Sequence, residues 1–390
     1  MTDIYLIRHA EAEGNLYRRA HGQYDSNITP LGRRQIALLA ERFRGVPIGA
    51  LYSSDLIRTR STASAITKYH PALTVRTTPL LREIGVGVWE DQPWGNLSRD
   101  WPEQMELFSR DPDRFHVPGS ERFGDVVARM ERALSAIARE NEGRTVAVFS
   151  HGMAIRATLS HWMGVPSEQV VRVPHGDNTA VQLIHCDNGS FSIEFYNDNR
   201  HLGDEASTFA RQVWWRKAGG GNEDEDNARF VPLDPETDAA LYTRCYADTW
   251  RASHGDLAGF NESVYLATAR AHSAQDPQLL VQMRCGSEFV GLIELDRERG
   301  AREKAGWISL LFCREPFRGR RLGVQLLGHA VAYFRRMGFE KLRLHVSQTN
   351  EAAIGFYEHS GFVRVQSVQG VGGDLWLMEL DIRPQIWCLP

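Results

Sequence analysis

Cysteine is scarce and scattered: five in 390 residues (Cys186, Cys245, Cys285, Cys313 and Cys388), with no C-x-x-C pair. That spacing offers neither a zinc site nor a disulfide framework, so no metal is expected and a reducing cytoplasm fits. Charge of neither sign dominates. The 45 Lys and Arg face 49 Asp and Glu, a formal net charge of −4, and no block of like charge forms a nucleic-acid tail or a patch for an anionic membrane. No uninterrupted apolar run approaches the roughly 18 residues of a membrane span. The chain also enters an apolar strand within three residues, without the charged and apolar regions of a signal peptide. The expectation is a soluble cytoplasmic protein that works on small molecules, with neither nucleic acid nor membrane as partner.

Length and composition point to two domains. The segment Ala218-Gly219-Gly220-Gly221-Asn222-Glu223-Asp224-Glu225-Asp226-Asn227 joins three glycines to a run of acids with no apolar anchor, the composition of a solvated linker. It divides the chain into expected domains at 1–217 and 228–390, with a flexible glycine-rich, acidic linker over 218–227. In the first, strand-like runs alternate with helix-like ones, the pattern of an α/β domain. Residues 30–43 carry Leu31, Ile36, Leu39, Ala40 and Phe43 at helical spacing, and a short strand follows at 50–52. In the second, 279–283, 289–295, 307–313 and 341–346 read as strands. A helix over 323–337, with Leu326, Leu327, Ala330, Val331 and Phe334 on one face, separates the last two.

Two histidines each follow an apolar run directly. Residues 3–7 lead into Arg8-His9-Ala10, and residues 145–149 lead into Ser150-His151-Gly152. Such runs predict buried strands of a mostly parallel sheet, whose carboxyl ends line the ligand crevice of open α/β folds. Both imidazoles are therefore expected at one pocket. After the strand at 50–52, Ser53-Ser54-Asp55 offers N-cap residues, and Arg58, one turn into the next helix, brings a guanidinium to the same crevice as Arg8. Arginine stays charged and presents a planar fork to a phosphoryl group. Two of them also lower the pKa of His9, which keeps a ring nitrogen free to attack phosphorus.

These residues resemble the histidine phosphatase superfamily, which includes the cofactor-dependent phosphoglycerate mutases, over about residues 1–212. Leu6-Ile7-Arg8-His9-Ala10-Glu11 with Asn15 is similar to the nucleophile motif, and Gly22-Gln23-Tyr24-Asp25 to the segment after it. Ser53-Ser54-Asp55-Leu56 with Arg58 and Thr59 resembles the second arginine motif, Leu81-Arg82-Glu83-Ile84 the acid motif, and Ser150-His151-Gly152 the second histidine. The resemblance implies a three-layer α/β/α phosphoglycerate-mutase-like fold and a small phosphomonoester substrate. It implies His9 as nucleophile and Glu83 as general acid, with Arg8, Asn15, Gln23, Arg58 and His151 holding the phosphoryl group. Ala10 and Asp91 stand where the family more often has glycine. From Asp91 to Arg122 seven acids face four arginines, a poor clamp for the second anionic end that a mutase must hold, so phosphatase is preferred over a phosphoglycerate-mutase-type phosphotransferase. Trp94, Trp101, Phe108 and Phe115 in this stretch read as a small local core or as a stacking surface for a leaving group.

In the second half, Arg318-Gly319-Arg320-Arg321-Leu322-Gly323 opens the amphipathic helix, so unpaired amides and the positive dipole end lie at a basic turn, as a pyrophosphate requires. Together with Asn350-Glu351-Ala352-Ala353-Ile354-Gly355-Phe356-Tyr357 this is similar to the GNAT acyltransferase superfamily over about 228–383. The resemblance implies a mixed-sheet α/β domain that takes acetyl-coenzyme A (acetyl-CoA). Leu311, Phe312 and Cys313 would pair with pantetheine, Arg318, Gly319, Arg320, Arg321, Leu322, Gly323 and Val324 would hold the pyrophosphate, and Asn350 would touch the cofactor. Tyr357 would protonate the thiolate. Arg321 stands where glycine is frequent. Glu294 reads either as a carboxylate facing the acceptor amine or as a surface residue. His21 and His272, with most of the 14 histidines, receive no role.

The expectation is a bifunctional enzyme: a phosphatase working through a phosphohistidine, joined to an N-acetyltransferase whose acceptor is an amine on a small molecule or a protein. The alternative is a phosphatase whose GNAT domain senses a ligand or docks a partner. The sequence leaves the oligomeric state open.

Overall fold

The structure, a computed structural model, describes residues 1–211 and 227–390. Residues 218–226 of the expected linker lie outside the described residues. The chain divides into two compact units. Each has a mixed sheet.

The first unit comprises Met1–Gln92, Leu97–Gly221 and Pro384–Pro390. Its strands are β1 (Thr2–Arg8), β2 (Ala50–Ser53), β3 (Val75–Thr77), β4 (Thr145–Ser150), β5 (Val181–Asp187) and β6 (Ser190–Asp198), in the order β3-β2-β4-β1-β5-β6. β1 to β4 are mutually parallel, whereas β5 runs antiparallel to β1 and β6 antiparallel to β5. The expected mostly parallel sheet therefore carries an antiparallel hairpin at one edge. β1 and β4 lie side by side, Arg8 opposite Ser150, so His9 and His151 leave the sheet at neighbouring strand ends. Because side chains alternate across a strand, Ile7, Leu51, Ala147 and Phe149 face α2 (Pro30–Phe43) and α3 (Ile57–Thr67) in one core. α4 (Phe123–Glu140) and α5 (Gly152–Trp162) pack together and against β1. A short helix, α1 (Glu13–Tyr17), follows the His9 loop.

α2 starts at Pro30 as read, in the first helical position, where its fixed φ suits the helix and its missing donor is not needed; Thr29, a cap the sequence reading did not name, accepts from the Gly32 amide on Oγ1 at 3.0 Å. α3 starts differently. Its N-cap is Leu56, with no side-chain cap. Asp55 is engaged by Arg82 at 2.7 and 2.6 Å and Ser54 by His151 at 2.9 Å, so the Ile57 amide is met instead by Asp25 Oδ1 at 2.7 Å.

The second unit comprises Pro93–Asn96 and Asn222–Arg383. Its sheet has the order β12-β13-β11-β10-β9-β8-β7, from β7 (Arg229–Pro232), β8 (Leu280–Cys285), β9 (Glu288–Asp296), β10 (Ala305–Cys313), β11 (Lys341–Ser347), β12 (Val363–Gly370) and β13 (Gly373–Asp381). α6 (Ala239–His254) and α7 (Glu262–Gln275) precede β8, α8 (Gly323–Arg336) connects β10 to β11, and α9 (Glu351–His359) follows β11. The four strands expected here are present, each longer by one or two residues. Asn96 and Phe230 exchange two hydrogen bonds, 2.9 and 2.8 Å, which explains why Pro93–Asn96 groups with this unit. The segment Pro384–Pro390, counted with the second domain in the sequence, groups with the first.

Candidate functional site

At the carboxyl ends of β1 and β4 the rings of His9 and His151 lie 5.2 Å apart between centroids, tilted by 55°. His9 Nδ1 is 2.7 Å from the Ala10 carbonyl. A carbonyl only accepts, so Nδ1 carries the proton and Nε2 keeps its lone pair. Burial holds the pKa of His9 well below the ordinary histidine range, reinforced by the charges of Arg58 and Arg8. His151 is depressed in the same way, by burial first and then Arg58. Both rings are therefore neutral at physiological pH, and His9 presents an unprotonated Nε2 with its tautomer already set.

Arg8 anchors one nitrogen on the Gly176 carbonyl at 2.5 Å, while its buried Nε has no hydrogen-bond partner among the described residues. The glycine of Ser150-His151-Gly152 makes room for it: a Cβ at residue 152 would stand 3.2 Å from the guanidinium. Arg58, fully buried, donates to the carbonyls of Tyr24 (2.9 Å), Gly22 (2.6 Å) and His21 (3.4 Å). The amides of the same loop are held by Glu90, which accepts from Gly22 (3.1 Å), Gln23 (2.8 Å) and Tyr24 (3.0 Å). Glu83 lays its carboxylate on the N-terminus of α5, accepting from the Met153 amide at 2.9 Å and the Ala154 amide at 2.8 Å. It is thereby tied to the helix that His151 begins.

The structure thus gathers His9, Arg8, Arg58, Glu83 and His151. Asn15 and Gln23 sit beside them with supporting roles. Asn15 Oδ1 accepts from Asn178 Nδ2 at 3.4 Å, which also donates to the His9 carbonyl at 3.0 Å. Gln23 Nε2 donates to the Glu83 carbonyl at 3.3 Å, and its Oε1 accepts from Arg82 at the same distance. Three residues without an assignment in the sequence also matter. Ser54 bonds His151 Nε2. Glu90 fixes the loop that Arg58 grips. Arg129 spans the carbonyls of Leu80 (2.8 Å), Arg82 (2.6 Å) and Glu83 (3.0 Å) and pairs with Glu121. Arg129 carries no sequence signal, because an arginine in an amphipathic helix reads as a solvated residue.

His21, given no role above, has a buried side chain that shares Asp91 Oδ1 with Arg19, at 3.1 and 2.7 Å. Asp91 has φ +57°, the left-handed conformation that favours glycine. Phe108 and Phe115 each place their rings 4.9 to 5.9 Å from Trp89 or from one another, which makes them local core.

In the second unit, β10 pairs with β9 through Cys313 but with β11 only from Ala305 to Ile308. Beyond Ile308 the strands part, and the edge of Leu311, Phe312 and Cys313 toward β11 is unpaired in the sheet register. Arg318 Nε donates to the Cys313 carbonyl at 2.9 Å. In the basic turn, Gly319 has φ +74° and Arg321 φ +59°, so the position where glycine is frequent does adopt the left-handed conformation, occupied here by a β-carbon residue. α8 begins at Gly323 with no side-chain cap on Leu322. An open strand edge and an uncapped helix N-terminus fit a pantetheine and a pyrophosphate. Asn350 caps α9, its Oδ1 accepting from Ala353 at 3.1 Å. Burial raises the pKa of Tyr357 and keeps its hydroxyl protonated. Glu294 is neither an exposed carboxylate nor an open base: it is buried, accepting from the Tyr242 hydroxyl at 2.8 Å and bonding His272 Nδ1 at 2.7 Å.

Comparisons with known proteins find a family for each part of the chain. The family described as the histidine phosphatase superfamily (branch 1) matches residues 4–199, and the acetyltransferase (GNAT) family matches residues 239–362. The chain belongs to the histidine phosphatase superfamily and carries a GNAT acetyltransferase domain after it. A relative described as probable phosphoglycerate mutase GpmB from Yersinia pestis is 35% identical over 167 residues, covering 43% of this chain and 77% of that one. The solved structure of Bacillus stearothermophilus YhfR is 29% identical with a TM-score of 0.50, covering 52% of this chain and 99% of that one. A mycobacterial glucosyl-3-phosphoglycerate phosphatase aligns at 24% identity with a TM-score of 0.46, covering 50% and 99%. Among the described residues no helix is long and apolar enough to cross a membrane.

Proposed function

We propose that the first unit hydrolyses a small phosphomonoester through a phosphohistidine on His9. The observation that carries the reading is the His9 Nδ1–Ala10 carbonyl bond, which leaves Nε2 unprotonated beside two arginines. In the first step Nε2 bonds to phosphorus as the ester P–O bond breaks, and the leaving oxygen takes a proton from the Glu83 carboxyl group. In the second step water attacks phosphorus, Glu83 takes the water's proton, and the P–N bond breaks. Arg8, Arg58 and His151 stabilise charge on the transferring oxygens, which is most of what such a reaction asks of a protein. Hydrolysis is favoured over mutase transfer because three further guanidiniums around the loops are paired: Arg19 with Asp91, Arg82 with Asp55, Arg129 with Glu121. The test is rapid quench with a labelled phosphomonoester. An acid-labile, base-stable phosphoenzyme is expected, and undiminished labelling of His9→Ala would sink the assignment.

The second unit, on this reading, transfers an acetyl group from acetyl-CoA to an amine on a small molecule or protein, in the cytoplasm. Leu311 to Cys313 would hold pantetheine, the turn from Arg318 to Val324 the pyrophosphate, and the Tyr357 hydroxyl would supply a proton to the departing thiolate. One observation keeps the sensing or docking alternative in play: the Cys313 carbonyl and the Asn350 side-chain oxygen, two groups expected to face the cofactor, already have protein partners. Cofactor binding without turnover against an amine panel would select that alternative.

A further inference from the structure

α3 carries Arg58, yet its sequence is a poor helix former. Of its residues Ile57–Thr67, six are Ser, Thr or Ile beyond the first position, types that lose rotamer freedom in a helix or compete for its backbone. Thr59, Thr62, Ser64 and Thr67 each bond a carbonyl three or four residues back. Such a helix needs support from outside.

It receives it on two faces. Toward the site, Thr62 Oγ1 accepts from the Ala10 amide at 2.9 Å and donates to the Arg58 carbonyl at 2.6 Å, which ties Arg58 to the His9 loop. Elsewhere on the helix, Ser61 and Ser64 accept from the amides of Trp387 and Leu389, each at 3.0 Å. The Gln385 amide donates to Asn27 Oδ1 at 2.8 Å, and the Asn27 carbonyl accepts from Glu13 just after the His9 loop. The three donors are alternate residues, so Pro384–Pro390 is an extended strap presenting one edge. Trp387 and Leu389 pack on the core of α2, α3 and β2, and the Arg33 guanidinium lies 5.4 Å above the Trp387 ring. More than 320 residues of sequence separate these partners.

We propose that Pro384–Pro390 is a positioning strap for Arg58, so that phosphoryl transfer at His9 depends on a segment that follows the last strand of the GNAT unit. The inference rests on the hydrolase reading above. The strap touches no reacting atom. It acts by holding α3 against the loops of His9 and Asn27.

Two variants of the full chain test it: termination after Arg383, and Trp387→Ala. At 15 °C, well below unfolding, kcat/KM for p-nitrophenyl phosphate should fall about tenfold or more, the scale expected when a positioning contact is lost. Vanadate should bind correspondingly more weakly. Amide exchange across Ile57–Thr67 should accelerate, while acetyl-CoA affinity stays unchanged. The synthetic peptide Pro-Gln-Ile-Trp-Cys-Leu-Pro, added at millimolar concentration to the shortened chain, should restore activity. A strap that merely stabilises the fold would lower the melting temperature and leave kcat/KM and vanadate affinity intact, which overturns the proposal. If the shortened chain does not fold, Trp387→Ala decides. If the parent enzyme shows no phosphatase activity, the hydrolase reading fails, and unchanged exchange of Ile57–Thr67 in Trp387→Ala would then refute the strap by itself.

Discussion

Arg129 Nη2 donates to the main-chain carbonyl of Glu83 at 3.0 Å, so the loop residue proposed as proton donor hangs from a guanidinium on α4. The same side chain holds the carbonyls of Leu80 and Arg82 and pairs with Glu121, which in turn accepts from the Gly85 amide at 3.2 Å. Arg129→Leu should therefore misplace Glu83 without touching Arg8 or Arg58. Misplacement by about 1 Å can cost about 100-fold. Alkyl phosphates should slow by that order and p-nitrophenyl phosphate far less, whereas equal slowing of both would indicate general damage to the fold.

Glu83→Gln makes the complementary prediction. The amide keeps the shape of the side chain and one acceptor oxygen on α5 but has no acidic proton to give. General acid catalysis contributes about 10²- to 10⁴-fold. Turnover of substrates with poor leaving groups should drop within that range, and a leaving-group series should show a steeper dependence than the parent enzyme. A parallel pair of lines would remove Glu83 from the proton transfer.

The sequence carries the placement of His9 and His151 because an apolar strand followed by a polar residue is a local pattern. It also carries Arg58 and the helix at Pro30–Phe43, whose apolar spacing is contiguous. What escapes it depends on distant partners. The N-cap of α3 falls to Leu56 because His151, Leu56 and Arg82 claim Ser54 and Asp55, and the amide at Ile57 is met by Asp25, 32 residues away. Glu294 alternates along β9 like a surface residue, yet Tyr242 and His272 from two helices bury it. The left-handed turn at Arg321 is legible only as a departure from a pattern, and the strap at Pro384–Pro390 not at all, since nothing in its residues names Ser61 and Ser64.

Three histidines, the buried His9 and His151 and the partly buried His175, have pKa values pushed well below normal, each chiefly by desolvation. The unfolded chain protonates them near pH 6.5 while the folded chain does not. Between the unfolded and folded values the unfolded state binds more protons, so stability must fall as pH drops below about 6.5. Each group contributes up to about 1.4 kcal/mol per pH unit in that window. His175, which accepts from Arg156 Nη1 at 2.8 Å, is the one to change. In His175→Gln, urea unfolding of the first unit between pH 5 and 6.5 should show a shallower pH dependence by about one proton, and an unaltered slope would show that His175 titrates normally.

Gly323 and Tyr357 separate binding from turnover in the second unit. Gly323 opens α8 without a side-chain cap, and its α-carbon faces Phe356 with room for ordinary contact, a Cβ falling 3.5 Å from that ring. Gly323→Asp is therefore accommodated sterically, and its effect is electrostatic. A carboxylate at a helix N-terminus is favourable to the helix itself, so the protein should fold at least as well. The same charge stands where a pyrophosphate would need the amides and the dipole, so calorimetry should show acetyl-CoA affinity lost. Tyr357→Phe removes only a hydroxyl from a ring packed between Phe356 and Phe362, with centroids at 5.2 and 5.5 Å. Affinity should survive and kcat fall, the signature of a group used only as the thiolate departs. If Gly323→Asp binds acetyl-CoA as the parent does, the pyrophosphate does not lie on this turn, and the cradle at Arg318 to Val324 is wrong whatever Tyr357→Phe shows.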